Sequence, residues 1–363
     1  MPSMSMHVIT NLTGNAGAET MLARLLRVSE GDRILVVPLM GVSERNRDLA
    51  NNPRVTYLPL GAKSSLTMIS ATMKLSRIIT TERPRVILCW MYHAMVVGAI
   101  AQRITDTSTP VFWNVRQSLD DPSSLSRNTR LAIRLGRLLS GTPTGIIYNS
   151  ERAMELHGKY GFKNLNAVVI PNGFDIPKSV SIAVKAPRTF GIAGRFHPQK
   201  DHETFFRAAA IVARANPEAR FRAVGNGLTL ENPAVTELLN KAGMPAGSVH
   251  LCGESTDMST FYRSIDVLVL SSRTEGFPNV VAEAMSYGKP VITTDVGDAA
   301  TIVNNTGWVV PPRNPQSLAA AIESALKMQP KKYAEVANLA RQRIAQEYEL
   351  QAIRMRYEKF LEV

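Results

Sequence analysis

Residues 266–297 limit the fold of this chain more than any other stretch. The stretch begins with a short apolar run at 267–270, which has the length of a buried parallel strand. A polar turn follows, then a helix that begins near Asn279, and then a second apolar run at 290–293. The order strand, loop, helix, strand predicts a parallel α/β sheet, in which ligands bind at the carboxyl ends of the strands.

Two carboxylates belong to this unit. Glu275 lies in the loop, and Glu283 lies about one turn into the helix. The helix start offers backbone N–H groups without helical partners, which suit an anion. The residues of this loop and helix start are Gly276, Phe277, Pro278 and Asn279. Because carboxylates accept hydrogen bonds from hydroxyls, a site with both features suits a nucleotide sugar.

The motif around the two glutamates is similar to that of a known enzyme family. Residues 275–278, followed by Glu283 and by 288–291, resemble the E-x7-E signature of retaining glycosyltransferases of family 4, which have the GT-B fold. The resemblance continues through 307–311. It implies that Glu275 binds hydroxyls of the transferred sugar and that Glu283 binds ribose hydroxyls of the donor. The alternative is an ordinary βα turn with two solvated glutamates.

A motif with two basic residues belongs to another strand–loop unit in the second half of the chain. An apolar run at 190–194 is followed by Arg195 and Lys200. These residues resemble the G-R-x4-K element of the same family, which implies that they hold the diphosphate of the donor. Two cations beside a leaving diphosphate stabilise its growing negative charge. A solvated basic pair is the alternative interpretation.

The first half begins with a strand at 6–10, a small-residue loop and a helix at 18–27. Glycines let the backbone approach an anion, and the N–H groups of a helix start face it. The resemblance implies that Gly14, Asn15 and Gly17 close over the donor diphosphate. The family usually has a glycine where this chain has Ala16.

Three further candidates follow later strands. The resemblance implies that His93, after the strand at 86–90, contacts the transferred sugar, whereas a helix-start or core histidine is the alternative. Cys252 ends a strand that contacts the nucleotide base in the family. Arg116, after the strand at 111–115, either reaches the cleft or lies on the surface.

The predicted helix at 127–139 carries arginines at helical spacing. They are Arg127, Arg130, Arg134 and Arg137, and the spacing places them on one face. The leucines expected to supply an apolar surface are Leu131, Leu135, Leu138 and Leu139. Two interpretations stay open: a solvated face on a helix that packs against the core, or a docking surface for an anionic membrane.

The composition of the chain limits the classes of partner that we expect it to bind. The net charge of +12 favours acidic partners, and nucleic acid is the weaker choice because aromatic residues make up only 6% and no zinc-finger or RNP-like motif occurs. We expect a cytoplasmic protein, or one on the inner face of the membrane, since no signal segment or membrane-length apolar run is visible. Cys89 and Cys252 fall in different halves, which argues against a disulfide framework.

These observations predict an α/β protein of the GT-B fold, with two doubly wound, Rossmann-like domains that face a central cleft. The predicted boundaries are 1–173 for the acceptor-side domain, 174–187 for a linker, 188–345 for the donor domain and 346–363 for a helix that packs back on the first domain. The 363 residues and the hydrophobic content of 45% allow two cores.

The predicted function is metal-independent, retaining transfer from a nucleotide diphosphate sugar, UDP-sugar before GDP-sugar. The acceptor is a hydroxyl of a glycan or lipid-linked molecule in bacterial surface polysaccharide or lipopolysaccharide synthesis. No cofactor is expected, because no D-x-D motif in a plausible setting and no His/Asp cluster occur. The alternatives are a sugar-nucleotide epimerase on the same architecture and a non-catalytic basic protein that binds membranes or nucleic acid.

Overall fold

The computed structural model describes residues 4–14, 17–105, 107–120, 122, 125–163 and 166–362. Their contacts divide the chain into two compact units. Unit 1 comprises residues 1–173 and 350–363, and unit 2 comprises residues 174–349. Residues 174–187, predicted as a linker, group with unit 2, because Arg341 donates to the Pro177 carbonyl at 2.5 Å and Ile182 packs against Gly288.

The described residues of unit 1 form a parallel sheet of seven strands. In chain order the strands are β1 (Met4–Ile9), β2 (Arg33–Pro38), β3 (Val55–Tyr57), β4 (Val86–Trp90), β5 (Val111–Val115), β6 (Gly145–Tyr148) and β7 (Ala167–Val169). Their spatial order is β3-β2-β1-β4-β5-β6-β7. Because helices cover both faces, the central strands are apolar along nearly their whole length.

Seven helices of unit 1 surround this sheet in the described part of the chain. They are α1 (Gly17–Val28), α2 (Glu44–Ala50), α3 (Ser65–Glu82), α4 (Tyr92–Ile104), α5 (Arg127–Leu139), α6 (Glu151–Tyr160) and, after the chain has passed through unit 2, α14 (Leu350–Leu361). One core contains buried residues of α3, α4 and α5, such as Leu75, Met95 and Ile133. A second core contains buried residues of α1 and α14, such as Leu22 and Tyr357.

The described residues of unit 2 repeat the same architecture with six parallel strands. They are β8 (Thr189–Ala193), β9 (Arg220–Val224), β10 (Val249–Leu251), β11 (Val267–Leu270), β12 (Val291–Thr294) and β13 (Gly307–Val310), in the spatial order β10-β9-β8-β11-β12-β13. The helices are α7 (His202–Ala215), α8 (Pro233–Ala242), α9 (Met258–Ser264), α10 (Asn279–Ser286), α11 (Ala299–Val303), α12 (Pro315–Leu326) and α13 (Pro330–Glu347). Both sheets therefore have the doubly wound strand order, as predicted.

The strand order of each sheet reverses at one point, between β1 and β4 in unit 1 and between β8 and β11 in unit 2. In doubly wound sheets the loops after two such strands diverge to opposite faces and leave a crevice for a ligand. The loops after these four strands are therefore the places to look for a functional site.

A buried histidine in unit 1 makes the stability of the fold sensitive to acid. His157 of α6 has no exposed surface, and its Nδ1 lies 2.7 Å from the Ala153 carbonyl. A carbonyl only accepts, so Nδ1 carries the hydrogen and Nε2 accepts from the Tyr92 hydroxyl at 2.9 Å. Burial lowers the pKa of His157 from its usual 6.5 to about 4.

We predict that this histidine reduces the free energy of unfolding as the pH falls from 6.5 towards 4. The unfolded chain binds a proton in that window and the folded chain does not, which amounts to at most about 1.4 kcal/mol per pH unit. Urea unfolding of the protein and of His157→Gln at several pH values measures the effect. The variant should show a shallower pH dependence, and the exposed His250→Gln should keep the original slope. Equal slopes for the protein and His157→Gln would contradict the prediction.

Candidate functional site

The predicted cations and one predicted carboxylate of unit 2 lie where the strand order reverses. The loop after β8 carries Arg195 and Lys200, and the loop after β11 carries Glu275. The two strands are hydrogen-bonded neighbours in a parallel sheet, so both loops leave the same edge. Residues from two distant sequence segments thus meet in one place.

Lys200 and Glu275 are in direct contact. The Lys200 Nζ lies 2.7 Å from Glu275 Oε1, and the same oxygen accepts a hydrogen bond from the Ser272 hydroxyl at 2.7 Å. The Glu275 side chain is 9% exposed and that of Lys200 is 20% exposed. Opposite charges attract more strongly in such a sheltered place than in bulk water. An anion that binds Lys200 here therefore competes with Glu275.

Further hydrogen bonds fix the two loops to each other. The Gln199 side chain donates to the Thr274 carbonyl at 2.8 Å, and the Arg273 backbone N–H donates to the Gln199 carbonyl at 2.8 Å. Arg273 also donates to the Asp201 carboxylate at 2.8 Å. These contacts hold the loop that carries the cations against the loop that carries Glu275.

The Asp201 carboxylate is held in its charged form by the same contacts. Burial alone raises the pKa of Asp201, but hydrogen bonds from Arg273 and Thr204 outweigh burial and hold that pKa below its usual value. Ser272, Arg273 and Asp201 were not among the site residues predicted from the sequence. Their polarity beside the predicted motifs is a signal, but it does not reveal which atoms they contact.

Arg195 differs from Lys200 in its surroundings. Its side chain is exposed, and it forms no ion pair with any other described residue. It follows Gly194, whose carbonyl would lie 2.1 Å from a Cβ at Gly225. Only glycine therefore allows the ends of β8 and β9 to approach so closely. A free guanidinium at this edge is suited to bidentate contact with phosphate.

The second predicted carboxylate lies on α10. Glu283 is half-buried, and its Oε2 accepts a hydrogen bond from the Tyr262 hydroxyl at 2.7 Å. No side chain in the described part of the chain caps the start of α10 at Pro278, so backbone N–H groups there stay suited to an anion. Tyr262 was not among the site residues predicted from the sequence.

Phe277 and Cys252, two of the residues predicted to bind the donor, have side chains that are buried or half-buried. The Phe277 ring is buried against Phe174 and Tyr348, with ring centroids about 6 Å apart, so only its backbone is in a position to contact a ligand. Cys252 is half-buried directly after β10, and its sulfur lies 3.8 Å from an Arg222 nitrogen. Arg222 is another polar neighbour that sequence analysis did not identify.

The candidates of unit 1 also gather at one end of their sheet. The Asn46 side chain donates to the carbonyls of Leu12 and Gly14 at 2.7 and 2.9 Å, which fixes the loop after β1. Gly17 begins α1. The predicted loop residues Asn15 and Ala16 lie outside the described residues.

His93 is the second residue of α4, which follows β4. Its side chain is half-buried, and burial lowers the pKa of His93, so its imidazole is neutral at pH 7. Met91, the residue just before the start of α4, has a φ of 71°, a value that L-residues rarely adopt. The Ala94 N–H donates to the Thr10 hydroxyl at 3.3 Å, which joins the start of α4 to the end of β1. His93 and the glycine loop therefore lie at the strand-order reversal of unit 1.

Arg116 is buried, so the interpretation that it lies on the surface is wrong. Its guanidinium is buried, donates to the Tyr357 hydroxyl at 2.9 Å and lies over the Trp90 ring at 5.7 Å. Burial lowers the pKa of Arg116. The reason is that α14, which returns from the end of the chain, covers the end of β5.

Three of the four leucines of α5 do not pack against the core. Leu131, Leu135 and Leu138 are 56%, 40% and 69% exposed, and only Leu139 is partly buried against the core. The buried residues of α5 are Ala132, Ile133 and Gly136. Of the predicted arginines, Arg127, Arg134 and Arg137 are exposed and Arg130 is half-buried. The outward surface of α5 therefore carries a row of leucines beside a row of arginines.

The described residues contain neither a metal-binding cluster nor a membrane-spanning helix. No group of three or more His, Cys, Asp or Glu side chains there is placed to hold a metal ion. In the same part of the chain, no helix has both the length and the apolar character needed to cross a membrane.

The protein has two doubly wound, Rossmann-like units and the GT-B fold of the solved structures to which it is similar. The structure is similar to that of Anabaena HepE, solved in complex with UDP and glucose, with a TM-score of 0.82 and 23% identity over 99% of both chains. It is also similar to the lipopolysaccharide outer core galactosyltransferase WaaB, with a TM-score of 0.77 and 15% identity over 98% of both chains.

Sequence profiles identify the family. The profile described as "Glycosyl transferase 4-like domain" matches residues 17–173, and the one described as "Glycosyl transferases group 1" matches residues 187–328. The chain belongs to the glycosyltransferases of the family 4 type.

Curated relatives share part of this sequence. The lipopolysaccharide core biosynthesis mannosyltransferase LpsB of Rhizobium meliloti is 30% identical over 187 residues, which is 48% of this chain and 53% of LpsB. A D-inositol 3-phosphate glycosyltransferase of Geodermatophilus obscurus is 31% identical over 204 residues, 49% of this chain and 44% of the relative. The chain thus spans about half the length of the curated relatives that it matches.

A glycine keeps the Glu275 loop in place, and this gives a prediction about the site. Gly297 has a φ of 51°, and a Cβ there would lie 2.4 Å from the Gly276 carbonyl oxygen and 2.5 Å from that of Glu275. We expect Gly297→Ala to displace the loop and to destabilise unit 2 by more than the roughly 1 kcal/mol of a left-handed alanine.

Gly247 provides a matched control. Its φ is 73°, and no atom lies within 4 Å of the position of an added Cβ. Gly247→Ala should therefore carry the backbone strain without the collision. Urea unfolding of both variants measures the difference, and equal destabilisation would show that the close approach at Gly297 is not rigid.

Proposed function

We propose that the protein transfers a sugar from a nucleotide diphosphate sugar to a hydroxyl of a glycan or lipid-linked acceptor, with retention of anomeric configuration. The observation that carries the proposal is the contact of Lys200 with Glu275, beside the exposed Arg195, at the strand-order reversal of unit 2. The family membership of the chain and the GT-B fold support it. UDP-sugar is the favoured donor and GDP-sugar the next.

The cations have a direct role in this reaction. As the bond between the sugar and the diphosphate breaks, negative charge grows on the leaving group, and Arg195 and Lys200 stabilise it. The two cations supply the charge that a divalent metal ion supplies in other enzymes, so we propose transfer without a metal ion. No residue is assigned as a nucleophile; the leaving phosphate assists the incoming hydroxyl.

The carboxylates have the complementary role. When the diphosphate contacts Lys200, Glu275 keeps its hydrogen bond from Ser272. Its carboxylate can then accept further hydrogen bonds from the sugar hydroxyls. Glu283 accepts from the ribose hydroxyls.

The acceptor is proposed from the relatives and from charge. One relative is named as a lipopolysaccharide core mannosyltransferase, and a similar structure is that of an outer core galactosyltransferase. We therefore place the reaction in the synthesis of a bacterial surface polysaccharide or lipopolysaccharide. A net charge of +12 is consistent with an enzyme that acts near anionic lipids.

Ligand-dependent thermal stability tests the donor site. Thermal unfolding is measured in EDTA with UDP, GDP, ADP or CMP; a nucleotide at a hundred times its dissociation constant should add about 2.7 kcal/mol to the free energy of unfolding. Lys200→Gln should lose most of this gain, because it keeps a donor for Glu275 but removes the positive charge.

The control for this test is Lys241→Gln. Lys241 is an exposed lysine of unit 2 that pairs with Glu237 in the same helix, so its loss should leave the nucleotide effect unchanged. A nucleotide effect that needs manganese would refute metal independence. No stabilisation by any of the four nucleotides would refute a preformed donor site in unit 2.

We also propose that unit 1 docks on an anionic membrane surface through α3, α4 and α5. Helix α4 packs against both α3 and α5. The three helices carry one acidic residue, Glu82, and seven basic ones: Lys74, Arg77, Arg103, Arg127, Arg130, Arg134 and Arg137. Basic residues next to exposed apolar ones are typical of helices that lie in the membrane interface.

The apolar part of this surface extends beyond α5. Besides the three exposed leucines of α5, α3 exposes Ile69 and Met73, and α4 exposes Ile100 and Ile104. Insertion of such side chains into the headgroup region, together with attraction of the arginines to anionic lipids, brings a lipid-linked acceptor within reach of unit 1.

Vesicle binding tests the docking surface. We expect Leu138→Gln to weaken binding to vesicles with anionic phosphatidylglycerol about tenfold or more, since full burial of a leucine contributes about 1.5–3 kcal/mol. Leu230→Gln is the matched control, because both leucines are 69% exposed and Leu230 belongs to unit 2. Sedimentation with anionic and with purely zwitterionic vesicles measures both. Equal effects of the two substitutions would contradict the assignment of this surface.

A further inference from the structure

Tyr262 of α9 forms a hydrogen bond with the side chain of Glu283. Its hydroxyl donates to Glu283 Oε2 at 2.7 Å, and its side chain is only 1% exposed. A phenol and a carboxylate form a charge-assisted hydrogen bond, which is stronger than one between neutral groups. The carboxylate has further lone pairs, so this contact leaves it able to accept from another hydroxyl.

A second contact fixes the position of the Tyr262 ring. The ring stacks on Tyr287, with centroids 5.5 Å apart and an angle of 29° between the planes. Tyr287 caps the C-terminal end of α10, the helix that carries Glu283, and Arg263 lies over its ring at 5.8 Å. Tyr262 therefore contacts α10 at Glu283 and again one turn later.

A glutamate side chain that is half-exposed has several staggered rotamers, and ordering it on ligand binding costs conformational entropy. A donor that is already fixed by packing selects one rotamer before the ligand arrives. Binding then loses less entropy, and the geometry is correct for the ligand hydroxyls.

We propose that Tyr262 is a positioning residue that orients the Glu283 carboxylate towards the ribose hydroxyls of a nucleotide. The inference rests on the proposed function for the ligand but names a residue and a contact that the function does not require. The competing interpretation is that Tyr262 only joins α9 to α10.

Ribose-dependent binding separates the two interpretations. Calorimetry is used to compare UDP and GDP with their 2′,3′-dideoxy counterparts, for the protein and for Tyr262→Phe. We expect the substitution to weaken binding of the nucleotide that the protein prefers by about two- to tenfold, the effect of one hydrogen bond. Binding of the matching dideoxy nucleotide should not change, since it has no hydroxyl for Glu283.

Tyr333→Phe is the control for loss of a buried phenol. The Tyr333 hydroxyl donates to the Asp266 carbonyl at 2.9 Å, and Tyr333 is 3% exposed in the same unit. This substitution should reduce stability without changing the preference for ribose hydroxyls. In Glu283→Gln the preference should already be lost, so adding Tyr262→Phe should reduce it no further.

The outcomes separate this inference from the proposed function. If Tyr262→Phe weakens the normal and the dideoxy nucleotide equally, Tyr262 is only a structural contact and the inference is wrong. If the protein binds a nucleoside diphosphate with no preference for ribose hydroxyls, the inference fails while the donor site stands. If neither UDP nor GDP binds, both the inference and the proposed donor site fail.

Discussion

The ion pair between Lys200 and Glu275 is the interaction on which the site of unit 2 depends. A largely buried ion pair contributes little net stability, because desolvation of the two charges offsets their attraction. Its value here lies in geometry: it joins the loop after β8 to the loop after β11, and Ser272 fixes the orientation of the carboxylate. The pair also keeps the cation compensated until an anion competes for it, so Glu275 holds the Lys200 ammonium group at the strand ends.

The loops of this pair are themselves constrained by the backbone. Gly225 lets the ends of β8 and β9 approach, and Gly297 lets the chain after β12 pass against the carbonyls of Glu275 and Gly276. A side chain at either position would collide with main-chain atoms that do not move independently. The position of Glu275 is therefore determined by three strand ends together.

The fold followed from the sequence more completely than the side-chain contacts did. Buried parallel strands are short apolar runs, so β4, β5 and β11 were predicted at the observed bounds. The resemblance identified Lys200 and Glu275, and the shared sheet edge explains their contact. Ser272, Asp201, Arg273 and Tyr262 were not identified, because their partners depend on side-chain directions between separate elements. Helix α5 was predicted at its observed bounds, but periodicity defines a face and not which face packs inward. Its smaller residues allow the close approach, and three of its four leucines stay exposed.

Arg116 illustrates a constraint that no local pattern reveals. Its guanidinium contacts Tyr357, 241 positions later in the chain, and the Tyr357 ring stacks on Trp90 with centroids 6.2 Å apart. The two units are distinct in their contacts, but unit 1 is completed only by residues that follow unit 2 in the chain. Without α14, the ends of β4 and β5 would expose Trp90 and Phe112, which α14 residues now cover. A buried arginine without a carboxylate partner among the described ion pairs is tolerated because the phenol, a backbone carbonyl and an aromatic face share its charge. The polar end of β5 therefore contacts the returning helix α14. Arginine suggested a surface role, but Arg116 forms a buried contact between β5 and α14.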